Sequence, residues 1–180
     1  MDSSHIHPPA RYFSDLHDNI CNQKYSDDLP YSFHLKMVAE QALKFEKYIP
    51  VDEPYHTAVW IGIWGHDSIE DARLTYNDIK HKFGEEAAEI IYLCTEWKGR
   101  NRAERKPKEF YEELMTNEDA VFVKLCDMIA NMKFSHLTNS PMFQKYVKEW
   151  TEKIEPILSP EMRPIFPDMF SYIDSICKLD

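Results

Sequence analysis

Trp60-Ile61-Gly62-Ile63-Trp64-Gly65-His66-Asp67-Ser68-Ile69-Glu70-Asp71 is the stretch on which the reading of this chain turns. An apolar run ends abruptly in His-Asp, and a second acidic pair follows three residues later. On a helix, Glu70 and Asp71 lie one turn beyond His66 and Asp67, so one face carries an imidazole and three carboxylates. Unpaired, that much negative charge on one face is unfavourable. A cation, or basic groups from elsewhere in the fold, relieves it. A hydrophobic helix ending in this way reads as one wall of a metal site; the plainer alternative is a helix cap or a solvated helix end.

The segments on either side are helical in pattern. Upstream, a helix is expected to start after Pro9 and run to about Tyr25, with Tyr12, Phe13, Leu16 and Ile20 buried. Its His17-Asp18 pair lacks the apolar lead-in and reads as packing or pocket wall. His5-Ile6-His7 reads as a frayed terminus rather than a metal site. After a turn at Ser26-Asp27-Asp28-Leu29-Pro30, an amphipathic helix is expected from Tyr31 to about Ile49, which puts His34 on the inward face. Downstream, Thr75 caps a short helix that Phe83-Gly84 stops, and another runs from Glu85 to about Glu96 with Ala88, Ile91, Tyr92 and Thr95 inward.

Lys98-Gly99-Arg100-Asn101-Arg102-Ala103-Glu104-Arg105-Lys106-Pro107 is a basic cluster in an acidic chain. A solvated loop and a phosphate-recognition loop carrying Arg100, Arg102 and Arg105 are equally good readings. Residues 119–136 read as a long buried helix in which Lys124, Asp127 and Asn131 form one polar stripe. Buried polar side chains need partners. Either they form a structural network, or Asp127 is a metal ligand. The last forty residues give two amphipathic helices, Met142 to Leu158 and Glu161 to Leu179, with Pro164 and Pro167 bending the second. They close the bundle or supply a homo-oligomer surface, and no chemistry is read in them.

His34, His66, Asp67 and Asp127 thus come from three expected helices. Two imidazoles and two carboxylates suit a divalent transition ion such as Mn, Fe, Co or Zn. Water on such an ion has a lowered pKa and attacks phosphorus readily. Glu70 and Asp71 stand one turn beyond, placed to orient or deprotonate it.

Composition sets the frame. The chain has 180 residues, 43% of them hydrophobic, which suits one domain with a sizeable core. Four glycines are too few for a hairpin-rich fold. No stretch is long and apolar enough for a membrane span, and the polar N-terminus does not read as a signal peptide. Four cysteines without C-x-x-C spacing read as reduced thiols of a cytoplasmic protein. A net charge of -10 argues against nucleic acid as the main partner, and leaves room for a small phosphorylated ligand.

The order H, H-D, D resembles the HD-domain phosphohydrolase superfamily. His66-Asp67-Ser68-Ile69-Glu70-Asp71 with Thr75, Ile79, Phe83-Gly84, Ala88 and Thr95 resembles, more narrowly, the hydrolase domain of the RelA/SpoT family. Pro30-Tyr31-Ser32-Phe33-His34 is similar to that family's first motif, and Val123-Lys124-Leu125-Cys126-Asp127 with Asn131 to its last. The likeness covers about residues 12–137. The chain length is similar to that of the stand-alone small alarmone hydrolases of the Mesh1 type. The resemblance implies an all-α, single-domain HD-type helical bundle, with helices over 141–179 completing it. It implies Mn on His34, His66, Asp67 and Asp127, and Glu70 and Asp71 handling the hydrolytic water. It implies nucleotide contacts from Lys124, Asn131 and a basic position near Lys24. The implied reaction removes pyrophosphate from the 3′ position of ppGpp or pppGpp. Asp127-Met128 stands where the family usually has Asp-Arg or Asp-Lys, and Gln23-Lys24-Tyr25 where it is richer in basic residues. These departures keep open an HD phosphohydrolase of other specificity, acting on a nucleoside monophosphate, a deoxynucleoside triphosphate or NADPH. A non-catalytic nucleotide- or partner-binding bundle is the third reading.

Overall fold

The computed structural model describes residues 8–26 and 28–179; the His5-x-His7 reading and Asp27 lie outside them. Helix α1 (Pro8–Asp15) runs on through a π-helical turn, Leu16–Ile20. Two short antiparallel strands follow, β1 (Lys24–Ser26) and β2 (Leu29–Pro30). Next come α2 (Tyr31–Lys44), α3 (Tyr55–Gly65), α4 (Tyr76–Phe83), α5 (Glu85–Cys94), α6 (Arg102–Arg105), α7 (Lys108–Leu114) and α8 (Glu118–Leu137). The chain ends in α9 (Met142–Glu149), a π-helical stretch Trp150–Ile154, α10 (Glu155–Met162) and α11 (Pro167–Ile176). The fold is a helical bundle bearing one small two-stranded ribbon.

Helix α8 is its axis, packing against α2, α3, α5, α7, α9 and α11. Eleven of its residues are buried, Val121, Phe122, Val123, Leu125 and Ile129 among them. Its start is fixed by Asn117, whose side chain accepts a hydrogen bond from the Ala120 amide. Helix α3 is apolar on every face because neighbours surround it: α1, α2, α5 and α8. Its two glycines allow the close approach. A Cβ at Gly62 would stand 2.5 Å from Ile90 Cγ2, and one at Gly65 would stand 2.6 Å from Phe13 Cζ. Thr75 and Asp78 form a reciprocal capping box at the start of α4, and Gly84, at φ 97°, separates α4 from α5. No helix among the described residues is long and apolar enough to cross a membrane.

Several expected boundaries move. The first helix stops at Ile20 rather than Tyr25, because Asn22 takes a left-handed φ of 52° that ends helical winding. The wider π turn carries Ile20 off the buried stripe, leaving it 69% exposed. Tyr92 points outward, and Ile90 and Leu93 take the inward positions. Helix α3 ends at Gly65, so His66 to Asp71 lie in successive turns rather than on a continued helix. The Asp71 amide still bonds the Asp67 carbonyl at 2.8 Å, which preserves the one-turn offset between the acidic pairs. Near the C-terminus Pro167 opens α11 instead of bending a longer helix, as suits a residue without an amide hydrogen.

Candidate metal centre and active site

Three elements deliver the central cluster. His34 stands in the first turn of α2, and His66 and Asp67 directly follow α3. Asp127 sits in the middle of α8. The α2 start is held by Asp18, whose Oδ1 accepts the Ser32 amide at 2.9 Å. One donor atom each of His34, His66 and Asp127 lies within 4.8 Å of the others. His34 Nε2 is 3.2 Å from His66 Nε2 and 3.3 Å from Asp127 Oδ1. Asp67 Oδ2 is 2.9 Å from His66 Nε2 and 3.4 Å from His34 Nε2. Both histidines are buried.

This donor set fits a divalent ion. His66 Nδ1 lies 3.1 Å from the Ile63 carbonyl, which can only accept. The ring therefore donates through Nδ1 and, when neutral, turns its Nε2 lone pair toward the cluster, the tautomer a metal ligand needs. With only protein groups around it, His34 is pulled two ways. Burial lowers its pKa, and the Asp127 and Asp67 carboxylates outweigh that and push it up to about 9. Burial raises both carboxyls in turn, but His66 and His34 hold Asp67, and Lys124 and His34 hold Asp127, below the usual range. The two imidazole nitrogens and the Asp127 carboxylate, with Asp67 beside them, could hold a metal ion.

The surroundings brace the cluster. Tyr31 Oη lies 2.6 Å from Asp67 Oδ2 and 3.2 Å from Asp71 Oδ2, so its single proton ties the two acids together. His17 stacks on Tyr31 at 4.6 Å and bonds Gln23, whose amide donates to the Asp71 carbonyl. His17 thus acts as packing, and Asp18 as the cap of α2. Tyr25 stacks on His34 and donates to Asn131 Oδ1 at 2.7 Å, and Asn131 Nδ2 donates to Asp127 Oδ1. Lys124 Nζ lies 3.4 Å from Asp127 Oδ2 and donates to the Cys94 carbonyl. Burial lowers its pKa, but Asp127 overrides this and keeps it an ammonium.

The cluster opens into a cavity of about 260 Å³. Glu70 and Asp71 line it. Burial, then Glu96, raises the Glu70 carboxyl, and burial, then Asp67, raises that of Asp71. Lys124 and Asn131 line it too, as does Arg102. The other expected basic contacts are elsewhere. Lys24 is exposed on β1 and does not line the cavity. Arg100 is 92% exposed, beside Glu104, and Arg105 is bonded to Glu96. The cause is local: Asn101 caps α6 by accepting the Glu104 amide, and the short helix that results leaves Arg100 outside it.

Much of the cavity wall was not marked in the sequence. Lys106, only 5% exposed, holds Glu96 and Glu149 at 3.1 Å each, and Arg102 forms a forked pair with Glu149. Burial, then Lys124, lowers the Lys106 pKa, and Glu149 and Glu96 oppose that shift. Tyr111, Met128, Tyr146 and Ile154 complete the wall. Tyr146 and Glu149 correct the expectation that the C-terminal helices carry no chemistry-bearing position. The available signal was a Tyr and a Glu three residues apart on α9, off the stripe of Phe143 and Trp150.

No family model matches the chain. It is 31% identical over 96 residues to a guanosine-3′,5′-bis(diphosphate) 3′-pyrophosphohydrolase of Aquifex aeolicus. The match takes in 51% of this chain and 14% of that protein, so the chain spans a small fraction of that relative's length. Among solved structures, one described as a metazoan ortholog of SpoT that hydrolyzes ppGpp and plays a role in starvation responses superposes with a TM-score of 0.71 at 21% identity. That superposition covers 98% of this chain and 95% of the other. The two chains share a fold.

Proposed function

We propose that the protein is a metal-dependent phosphohydrolase that releases pyrophosphate from the 3′ position of ppGpp-type nucleotides. The observation that carries this reading is the convergence of His34, His66 and Asp127, with Asp67 beside them, at a cavity that Glu70, Asp71, Lys124 and Asn131 also line. The activities named for the Aquifex relative and for the metazoan ortholog support the choice of nucleotide. On this reading His34, His66, Asp67 and Asp127 hold the ion, with Mn the first choice and Fe, Co or Zn compatible with the same donors. A divalent ion there supplies Lewis acidity and lowers the pKa of water in the cavity.

The chain's own groups do the rest. Glu70, its basicity raised by burial, accepts the proton of the attacking water. Asp71, tied to Asp67 through Tyr31, orients that water. Lys124 and Asn131 position the nucleotide, and Arg102 and Lys106 offset phosphate charge. The bond between phosphorus and the 3′ oxygen breaks. Water supplies hydroxide to phosphorus and a proton to the 3′ oxygen, giving pyrophosphate and GDP from ppGpp. A single-domain organisation is supported by α9, α10 and α11, whose buried side chains join the same core cluster as the rest. A cytoplasmic enzyme acting on a small molecule belongs to the same proposal.

One observation favours a second reading, an HD-type phosphohydrolase for a less highly charged nucleotide. Carboxylates outnumber Lys and Arg two to one around the cavity, and Met128 stands among them. Product analysis separates the two. The purified protein with Mn is incubated with ppGpp, ppApp, NADPH, deoxynucleoside triphosphates and monophosphates in turn. Pyrophosphate and GDP from ppGpp are expected. Intact ppGpp, with phosphate lost from another nucleotide, overturns the first reading in favour of the second.

A further inference from the structure

Four buried side-chain atoms find no hydrogen-bond partner among the described residues: His17 Nε2, His34 Nδ1, Ser68 Oγ and Tyr111 Oη. His17 and Ser68 do not line the cavity, and the His34 ring belongs to the metal cluster. Tyr111 is different. It stands on α7, 1% exposed, and lines the cavity beside Lys106, Lys124 and Arg102. Its ring packs edge-on against Phe110 at 5.1 Å, with the Lys153 ammonium 5.9 Å from its centroid. Packing therefore needs the ring and not the hydroxyl. Buried hydroxyls nearly always have a partner, and one without it costs its full desolvation. Phenylalanine at this position would avoid that cost. Burial, then Glu149, raises the phenol above its ordinary pKa, so it stays a neutral O–H donor. Lys106, Lys124 and Arg102 line the cavity with it, as do Glu96 and Glu149, and a hydroxyl that donates matches an anionic oxygen brought to those cations.

We propose that Tyr111 binds substrate, its hydroxyl donating to a non-bridging phosphate oxygen of the nucleotide at the end of the cavity formed by Lys106 and Arg102. The assignment rests on the phosphohydrolase reading and adds to it a residue that selects for phosphate. A purely structural tyrosine predicts something else. Its replacement by phenylalanine would leave binding untouched and keep or raise stability, because it removes only an unpaired buried hydroxyl.

The test is Tyr111→Phe in the Mn-loaded protein, with dissociation constants measured by calorimetry for inorganic pyrophosphate, GDP and guanosine. Pyrophosphate and GDP between them carry every phosphate of ppGpp. The variant is expected to keep a Tm equal to or above that of the unmodified protein. It should bind one of these two about tenfold more weakly, the worth of a hydrogen bond to a charged group. Guanosine binding should be unchanged, and KM for the hydrolysed nucleotide should rise by the same factor. Unchanged constants for both pyrophosphate and GDP overturn the assignment, as does an equal weakening for guanosine, or a fall in Tm with binding intact. Failure of the unmodified protein to bind either phosphate compound also overturns it. These titrations need no turnover. A Tyr111-dependent constant in a protein that hydrolyses none of the nucleotides upholds the phosphate contact and overturns only the hydrolase reading.

Discussion

The two ends of the cavity are built on opposite electrostatic terms. At one end His34, His66 and Asp127 bring donor atoms within 4.8 Å of one another, with Asp67 Oδ2 beside both imidazoles, and the Lys124 ammonium touches one carboxylate. That end is short of positive charge, which a bound ion would supply on the proposed function. At the other end Arg102 and Lys106 are already matched by Glu149 and Glu96, and the unmet group is a neutral hydroxyl, Tyr111. The difference teaches that a cavity in an acidic chain carries fixed cations without presenting a bare basic patch. On the proposed function the first end takes its charge from a bound ion, and the second keeps its cations fixed by internal pairs until an anionic ligand competes for them.

The comparison can be broken at the metal end first. His66→Ala is expected to lose bound metal and reduce hydrolysis to background, since even a partner behind a metal ligand is worth about 10–100-fold. Metal analysis of the purified variant checks the first half, and retained metal with retained turnover breaks the assignment. Glu70→Gln keeps the ligands and removes the base. Turnover should fall about 10²–10⁴-fold while metal content and Tm hold.

At the other end the expected effect is on stability. Lys106→Met removes the ammonium that bridges Glu96 and Glu149 and leaves each with one guanidinium, Arg105 and Arg102, so denaturant unfolding should show a loss of about 2 kcal/mol at neutral pH with metal content unchanged. Its pH dependence has a definite sign. Burial raises both carboxyls, but Lys106 and Lys124 hold Glu96, and Arg102 and Lys106 hold Glu149, below their ordinary values. The stability they add is complete above the ordinary carboxylate range and is lost as pH falls through that range toward their lowered values. The gap between Lys106→Met and the unmodified protein should therefore narrow on acidification; a gap that widens contradicts the pairing. The smallest effect belongs to Arg100→Ala. That side chain lies in solvent beside Glu104, and neither Tm nor KM should move measurably.

The convergence of His34, His66 and Asp127 was legible because these residues sit in short motifs on strongly periodic segments. His34 follows from the inward face of α2, and Asp127 from a polar stripe on an apolar helix. His66-Asp67 follows from an apolar run that ends in charge. The Thr75 cap and the Gly84 stop were equally readable, since capping is local chemistry. The second end was not, because it is a tertiary product. Nothing local marks Lys106 as buried or Arg100 as exposed, although both lie in one charge run. What separates them is the Asn101 cap and the approach of Glu149 from α9, 43 residues further on than Lys106 in a helix whose periodicity announces only its apolar stripe. The π turn at Leu16–Ile20 was missed for a related reason: the 3.6-residue pattern continues through it, and only the left-handed Asn22 ends the winding.

The most direct measurement strips the protein with a chelator, restores Mn stepwise, and follows pyrophosphate release from ppGpp and bound metal on the same sample. Activity that disappears on stripping and returns in proportion to bound Mn is the predicted result. Pyrophosphate release that persists in the stripped protein, or a fully loaded protein that leaves ppGpp intact, would contradict it.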